Sequence, residues 1–305
     1  MEAIRYDSLI ELIRALPDEA ACVSYLTELR WGEEVISPYD ENSKVYKTKR
    51  GYRCRNTNKD FNVLTGTVMQ GTKVPLIKWI MSLWLLNSEK KGLSSYNLSR
   101  KIGVSQNTAW YMLHRLREAY KQETDVQVSG IVELDETYCG GKDKNKHGYK
   151  KPKKNRGRSI TKKAPVFGIL ERGGKVYAEV VPNTQMKTLM PIIQRVVTPD
   201  SIVYSDEFKS YKRLHKYYAH RFVVHGGGQY VDGDCSTNGI ENFWSILKRG
   251  LTGIYHFASR KHLQKYVDEF VFRFNTRKMT DSERFYDFLQ RTDKRITYKQ
   301  LTANG

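Results

Sequence analysis

The chain is short of cysteine and proline, short of acid relative to base, and has no long apolar run. Only four of its 305 residues are cysteine (Cys22, Cys54, Cys139, Cys235), and their scattered spacing excludes a disulfide framework and fits a reduced chain. The most apolar stretch, VPLIKWIMSLWLL, is too short to span a bilayer and contains Lys78, so no membrane span is expected. The opening MEAIRYDSLIELI carries acids where a secretory leader carries positive charge, so an intracellular location is expected. Acids are outnumbered, with 33 Asp and Glu against 52 Lys and Arg, leaving a net charge of +19. An excess of that size points to a polyanionic partner, because neutralising phosphates releases condensed counterions. What remains is 39% hydrophobic and 12% aromatic, enough to bury a core.

Along the chain, residues 1–30 have helical spacing broken by Pro17, and residues 31–66 are mixed and polar with short strand-like pieces. Pro75 suits the first turn of a helix running to Leu86. SSYNLSRKI follows from a cap at Ser94, then Gly103-Val104-Ser105, then QNTAWYMLHRLREAY: helix, tight turn, helix. IVELDETYC reads as a strand interrupted by acids. Residues 142–163 hold eleven Lys or Arg against one acid and read as an extended basic loop. APVFGILE, KVYAEVV, SIVYSDEF and HRFVVHGG read as strands, the first two joined by an RGG hairpin, with MKTLMPIIQRVV as a helix weakened by Pro191. Beyond residue 238 the pattern is helical. The outcome is a mixed α+β fold, a sheet with flanking helices.

Three acids sit where an apolar core would not want them. Asp135 and Asp206 are read as closing strands, and Glu241 lies in STNGIENFWSILKRG. On a helical wheel Asn238, Glu241, Ser245 and Lys248 form a polar stripe, opposite Ile240, Phe243, Trp244, Leu247 and Leu251. Taken singly, an acid at a strand end is a turn residue and a glutamate on such a helix is its wet face. Converging in one cleft, the three would repel unless a cation lay between them, and oxygen-only ligands suit two Mg²⁺ or Mn²⁺ ions in phosphoryl transfer. Glu133 and Glu136 stay open as alternatives, since Glu133 shares a strand face with Asp135.

At these residues the chain resembles the DDE transposases of bacterial insertion sequences, in the group related to the Merlin elements. The resemblance spans roughly 50 to 275 and is carried by FNVLTGTVMQGTKVPLIKW, GLSSYNLSRKIGVSQNTAWYMLHRLRE, VELDETYCGGK, VYSDEFKSY and STNGIENFWSILKRGLTGIYHFASRKHLQKYVDEFVFRFN. It implies an RNase H-like catalytic domain with Asp135, Asp206 and Glu241 as metal-binding acids and Asn238 and Lys248 as accompanying polar residues. Thirty-four residues separate Asp206 from Glu241, close to the spacing of such triads. The implied activity is binding of terminal inverted repeats, strand cleavage, and joining of 3′-hydroxyls to target DNA by a dimer or larger assembly, in the cytoplasm on the nucleoid. A catalytically dead DNA-binding regulator and a structure-specific nuclease remain the alternatives. Members of the group open with a zinc ribbon of two Cys-x-x-Cys pairs. Here those pairs stand as SPYD (37–40) and CRNT (54–57), leaving Cys54 alone, so no zinc is expected although the ribbon fold should persist.

The expected organisation is therefore a ribbon-like region over 1–72, a helix-turn-helix over 73–125, the catalytic domain over 126–280 and a tail over 281–305. In the helix-turn-helix, Gln106 and Asn107 are placed for base edges and Tyr111 and Arg115 for the DNA backbone. A purely structural hairpin, or a dimer contact through Trp110 and Met112, is the other reading. Lys150, Lys151, Lys153, Lys154, Arg156 and Arg158 of the basic loop would track phosphates.

Overall fold

The computed structural model describes residues 5–123, 125–140, 163–223 and 235–302, so the basic loop and its six named cations, except for Lys163 at its end, lie outside the described residues. The chain divides into two units, residues 1–120 with 278–305, and residues 121–277. The second unit lies close to the expected catalytic domain. The expected boundary at 72/73 runs inside the first unit, and the expected separate tail belongs to that unit as well.

The first unit begins with α1 (Leu9–Ala15) and α2 (Glu19–Trp31), separated at Pro17 and capped by Ser8 and Asp18, whose side chains accept the Glu11 and Ala21 N–H groups. β1 (Val45–Thr48), β2 (Gly51–Cys54) and β3 (Asp60–Phe61) form a small antiparallel sheet. Cys54 is buried there, its thiol donating to Ser43 Oγ at 3.2 Å. Burial pushes that thiol up, but the Ser37, Ser43 and Thr57 hydroxyls and the Thr57 backbone outweigh it and bring it down to about 6. Hydroxyls and a carboxylate thus stand at the positions the resemblance gives to cysteines, and Asp40 is tied to Asn56 Nδ2 at 2.7 Å. Then come α3 (Leu76–Ser88), α4 (Ser95–Ile102) and α5 (Gln106–Arg117). Ser94 caps α4 as the sequence predicts, Ser105 of the turn caps α5, and Gly103, at φ +62°, closes α4 in the left-handed region that a side chain resists.

The second unit is a five-stranded sheet in the order β6-β5-β4-β7-β8. β4 (Ile131–Cys139), β5 (Ala164–Glu171) and β6 (Val176–Val180) are antiparallel neighbours, while β7 (Ile202–Asp206) and β8 (Ala219–Val223) run parallel to β4. The β5–β6 connection turns at Gly173 with Gly174 N–H bonded to Glu171 O, the predicted hairpin. α6 (Met186–Val196) crosses between β6 and β7. It carries Pro191 on its exposed side, where the carbonyl that loses its partner can be hydrated. Val132, Leu134, Phe167, Ile169 and Val203 pack on one face with Leu189, Ile193 and Val196 of α6. Val166, Leu170, Val176 and Ala178 pack on the other with α7 (Asn238–Gly253) and α8 (Leu263–Asn275). Alternation along β4 therefore turns Glu133 and Asp135 toward α7 and Glu136 toward the α6 face. After Arg277 the chain rejoins the first unit with α9 (Asp281–Leu289), started by a full capping box at Thr280 and Glu283, and α10 (Tyr298–Thr302). Phe285 of α9 lies against Trp84, and Arg284 donates to the Asn87 carbonyl at 2.9 Å. Among the described residues no helix is long and apolar enough to cross a membrane.

Candidate active site

The parallel register of β4 and β7 sets the frame. Ile131, Val132 and Glu133 lie opposite Ile202, Val203 and Tyr204. Two residues further on each strand stand Asp135 and Asp206, level with one another on adjacent strands. Asp135 does not close its strand, contrary to the expectation from sequence. β4 continues to Cys139 because β5 goes on pairing with it, Asp135 opposite Gly168. Asp206 does end β7, and its Oδ1 accepts the Phe208 N–H at 3.0 Å, the Asx-type turn that stops the strand.

Glu241 arrives from α7, whose wheel is as predicted: Asn238, Glu241, Ser245 and Lys248 exposed; Ile240, Phe243, Trp244 and Leu247 buried. Glu241 Oε1 accepts from Thr237 Oγ1 at 2.9 Å. The electrostatics tie the three acids together. Burial pushes Asp135 up to about 7, with the charges of Glu136, Asp206 and Glu241 adding to it and a backbone hydrogen bond at Glu136 opposing it. The charges of Asp206 and Glu241 are thus both felt at Asp135. The three carboxylates do not close on a single point: among the described residues no three His, Cys, Asp or Glu side chains stand together as a ready metal nest. Like charges hold apart, and each acid uses an oxygen on a protein donor. The donor set is nonetheless all oxygen, and its mutual repulsion is of the kind a hard divalent cation relieves. Asn238 stands at the start of α7 and is exposed. Lys248 is also exposed, and its charge bears on the buried Cys139 thiol, which burial raises to about 11 against the pull of that ammonium.

Several residues that build this end were not assigned from sequence. Trp244, read as core, is buried but donates its Nε1–H to Asp135 Oδ2 at 3.0 Å. It fits because β5 has no side chain at Gly168: a Cβ there would stand 2.5 Å from Trp244 Cζ2. Gly168→Ala is therefore expected to cost about 1–3 kcal/mol by overpacking and to quench or shift the Trp244 fluorescence signal as the indole leaves Asp135. Glu133, left open as a ligand, is 2% exposed and occupied otherwise. Its Oε2 accepts the Ile240 N–H at 3.0 Å, holding the positive end of α7, and its Oε1 pairs with Arg172, which also reaches Ser236 O. Glu136 faces the other side and accepts the Tyr211 hydroxyl at 2.8 Å. Tyr211 is held well above the usual phenol range by burial, then by Glu136, Asp135 and Asp206. The outer acids of ELDE thus anchor α7 and the segment after β7. Glu133→Ala is expected to lower stability by about 2–3 kcal/mol, read as a lower urea midpoint, because it strands a helix N–H and a guanidinium. Glu133→Gln, which keeps the acceptor, should lose less.

On the helical pair of the first unit, Asn107 is exposed at the start of α5, while Gln106 is half-buried and its amide donates to Ser95 Oγ at 2.8 Å, tying the two helices. Tyr111 is half-buried. Arg115, expected on an outer face, is instead buried: its Nη2 donates to the Gln70 carbonyl at 2.7 Å and its guanidinium lies over Trp79 and Tyr111. Trp110 is half-buried and Met112 fully buried.

Residues 127–275 match the ISXO2-like transposase domain. The chain is 27% identical over 278 residues to an uncharacterised protein in transposable element ISH50 of Halobacterium salinarum, covering 86% of this chain and 92% of that one. It is 41% identical over 101 residues to an uncharacterised transposase-like protein of Haemophilus influenzae, covering 33% of this chain and 81% of that one. Among solved structures, a chain of the pre-cleavage Mos1 transpososome aligns over 95% of this chain and 97% of its own, at 15% identity and a TM-score of 0.26. A chain of a simian T-cell lymphotropic virus intasome complex aligns over 61% and 66%, at 13% identity and 0.28. Superpositions that loose leave the assignment to the sequence family. The protein is a transposase of the insertion-sequence type, and the chain belongs to the ISXO2-like DDE transposases.

Proposed function

We propose that this transposase binds the terminal inverted repeats of its element, cuts DNA strands there and transfers the freed 3′-hydroxyls to target DNA. The observation that carries the reading is the level placement of Asp135 and Asp206 on adjacent parallel strands, with the Glu241 charge felt at Asp135. Three antiparallel strands followed by two parallel ones, with helices on both faces, support reading the second unit as RNase H-like. Asp135, Asp206 and Glu241 would hold Mg²⁺ or Mn²⁺. Bound there, a divalent cation would supply Lewis-acid activation of an attacking oxygen and stabilisation of the leaving one.

The protein's own groups do the rest. Glu133 and Arg172 hold the start of α7, so that Glu241 keeps its place where its charge reaches Asp135. Trp244 fixes the Asp135 carboxyl, and the turn at Phe208 fixes Asp206. We read α4 and α5 as a helix-turn-helix, with Asn107 reading base edges. Gln106 contributes by bracing the two helices. The net charge of +19 supplies salt-dependent affinity for the duplex. Two ends must be held together for transposition, so assembly of at least two copies on DNA is part of the reading. Incubating the protein with a labelled end duplex, with Mg²⁺ or with EDTA, and mapping the nicks tests it. Metal-dependent nicks at the element boundary are expected, and their absence with intact end binding would leave only a DNA-binding regulator.

A further inference from the structure

A second cation-rich site lies in the first unit, away from the acids. A cavity of about 330 Å³ separates α5 from the segment that precedes and starts α10. Among the described residues its wall carries Lys73, Arg115 and Arg295 and the rings of Trp79, Tyr111 and Tyr298, and no carboxylate. Arg115 is 4% exposed, yet its Nε–H has no hydrogen-bond acceptor among the described residues. One of its five donors is used on Gln70 O, and among the same residues it forms no ion pair. A buried guanidinium left without a counter-charge is costly, and here a second guanidinium is close enough to add to the cost. Burial lowers the Arg115 pKa, Tyr111 opposes that, and Arg295 lowers it further. Tyr298 stands 63% exposed, in edge contact with Tyr111 at 5.4 Å between centroids.

Each feature calls for the same ligand. Unsatisfied planar donors and an exposed ammonium match the oxygens of a phosphate, and guanidinium forks suit that geometry well. Exposed aromatic edges suit the sugar and base that accompany it. The volume is that of a small-ligand cleft. The cavity opens beside α5, where the proposed function places DNA.

We propose that the cleft formed by Lys73, Arg115 and Arg295 between α5 and the 295–298 segment clamps a phosphodiester of the bound DNA. This deepens the DNA-binding reading, on which it rests, and makes the C-terminal segment part of the DNA interface.

The test uses the full chain and the double variant Lys73→Gln/Arg295→Gln. Both side chains are exposed, so folding should survive. Inorganic phosphate, compared with chloride at equal ionic strength, is expected to raise the melting temperature of the wild type and not of the variant. Anisotropy with a short duplex is then read against salt. The wild-type slope of log affinity on log salt should fall by roughly 1 in the variant, about 0.9 for the one phosphate no longer neutralised. Wild-type DNA binding with an unchanged slope in the variant overturns the clamp and leaves the DNA reading standing. Stabilisation by phosphate with that unchanged slope assigns the cleft to free phosphate and also overturns it. Absence of wild-type DNA binding overturns the reading and the clamp together.

Discussion

Asp206→Asn is expected to lower strand cleavage by about a thousand-fold or more while end binding stays unchanged. The substitution is close to isosteric. Asn keeps an oxygen for the Phe208 N–H, so the turn that ends β7 survives. What disappears is one negative charge at the point where the parallel strands bring Asp135 and Asp206 level. If that pair forms the hard-oxygen bed for a divalent ion, removing half of it removes the Lewis acid and not the fold. Single-turnover nicking of a labelled end duplex in Mg²⁺, beside an anisotropy titration of the same duplex, measures both quantities. Nicking at the wild-type rate would sink the assignment of Asp206.

Asp135→Asn is expected to abolish cleavage as well, and in addition to raise stability at alkaline pH. Its carboxyl is raised from 3.8 to about 7, mainly by burial and then by Glu136. A raised folded-state pKa favours the protonated form, so the stability it lends is fully present below about pH 4 and is lost as pH rises through about 7. A rise of that size corresponds to roughly 4 kcal/mol as an upper figure at pH 8. The asparagine variant, which keeps an acceptor for Trp244 Nε1–H, should therefore be the more stable protein at pH 8 without added metal, and the two should converge near pH 4. Added Mg²⁺ should stabilise the wild type and leave the variant unmoved, while cleavage is abolished. Urea midpoints across pH with and without the ion check this. Equal wild-type and variant stability throughout would mean that Asp135 carries no burial cost.

Much of this geometry is legible in one dimension. Ser94 and Ser105 before apolar-periodic runs place two helix starts, because a side-chain oxygen there satisfies an orphan N–H. APVFGILE coincides with β5, and seven of its eight residues are buried, as in a strand covered on both faces. The wheel of α7 separates Glu241 from Trp244 with no knowledge of what either meets. Other features are invisible at that level. ELDE holds three acids, and local spacing gives no reason to prefer one. Pairing with β7, the helix start at Ile240 and the phenol of Tyr211 divide them into a candidate site residue and two anchors. Arg115 looks like a wet-face cation on its own helix and is buried only because Trp79 and Tyr111 close over it.

The sequence by itself determined the elements, the basic character and the three candidate acids, because caps, periodicity and charge act over a few residues. Tertiary structure alone decided which acid meets which partner, that the C-terminal segment returns to the first unit, and that a buried guanidinium with no carboxylate partner among the described residues lines a cavity. Those outcomes depend on strand register and long-range packing, through contacts between residues dozens to hundreds of positions apart.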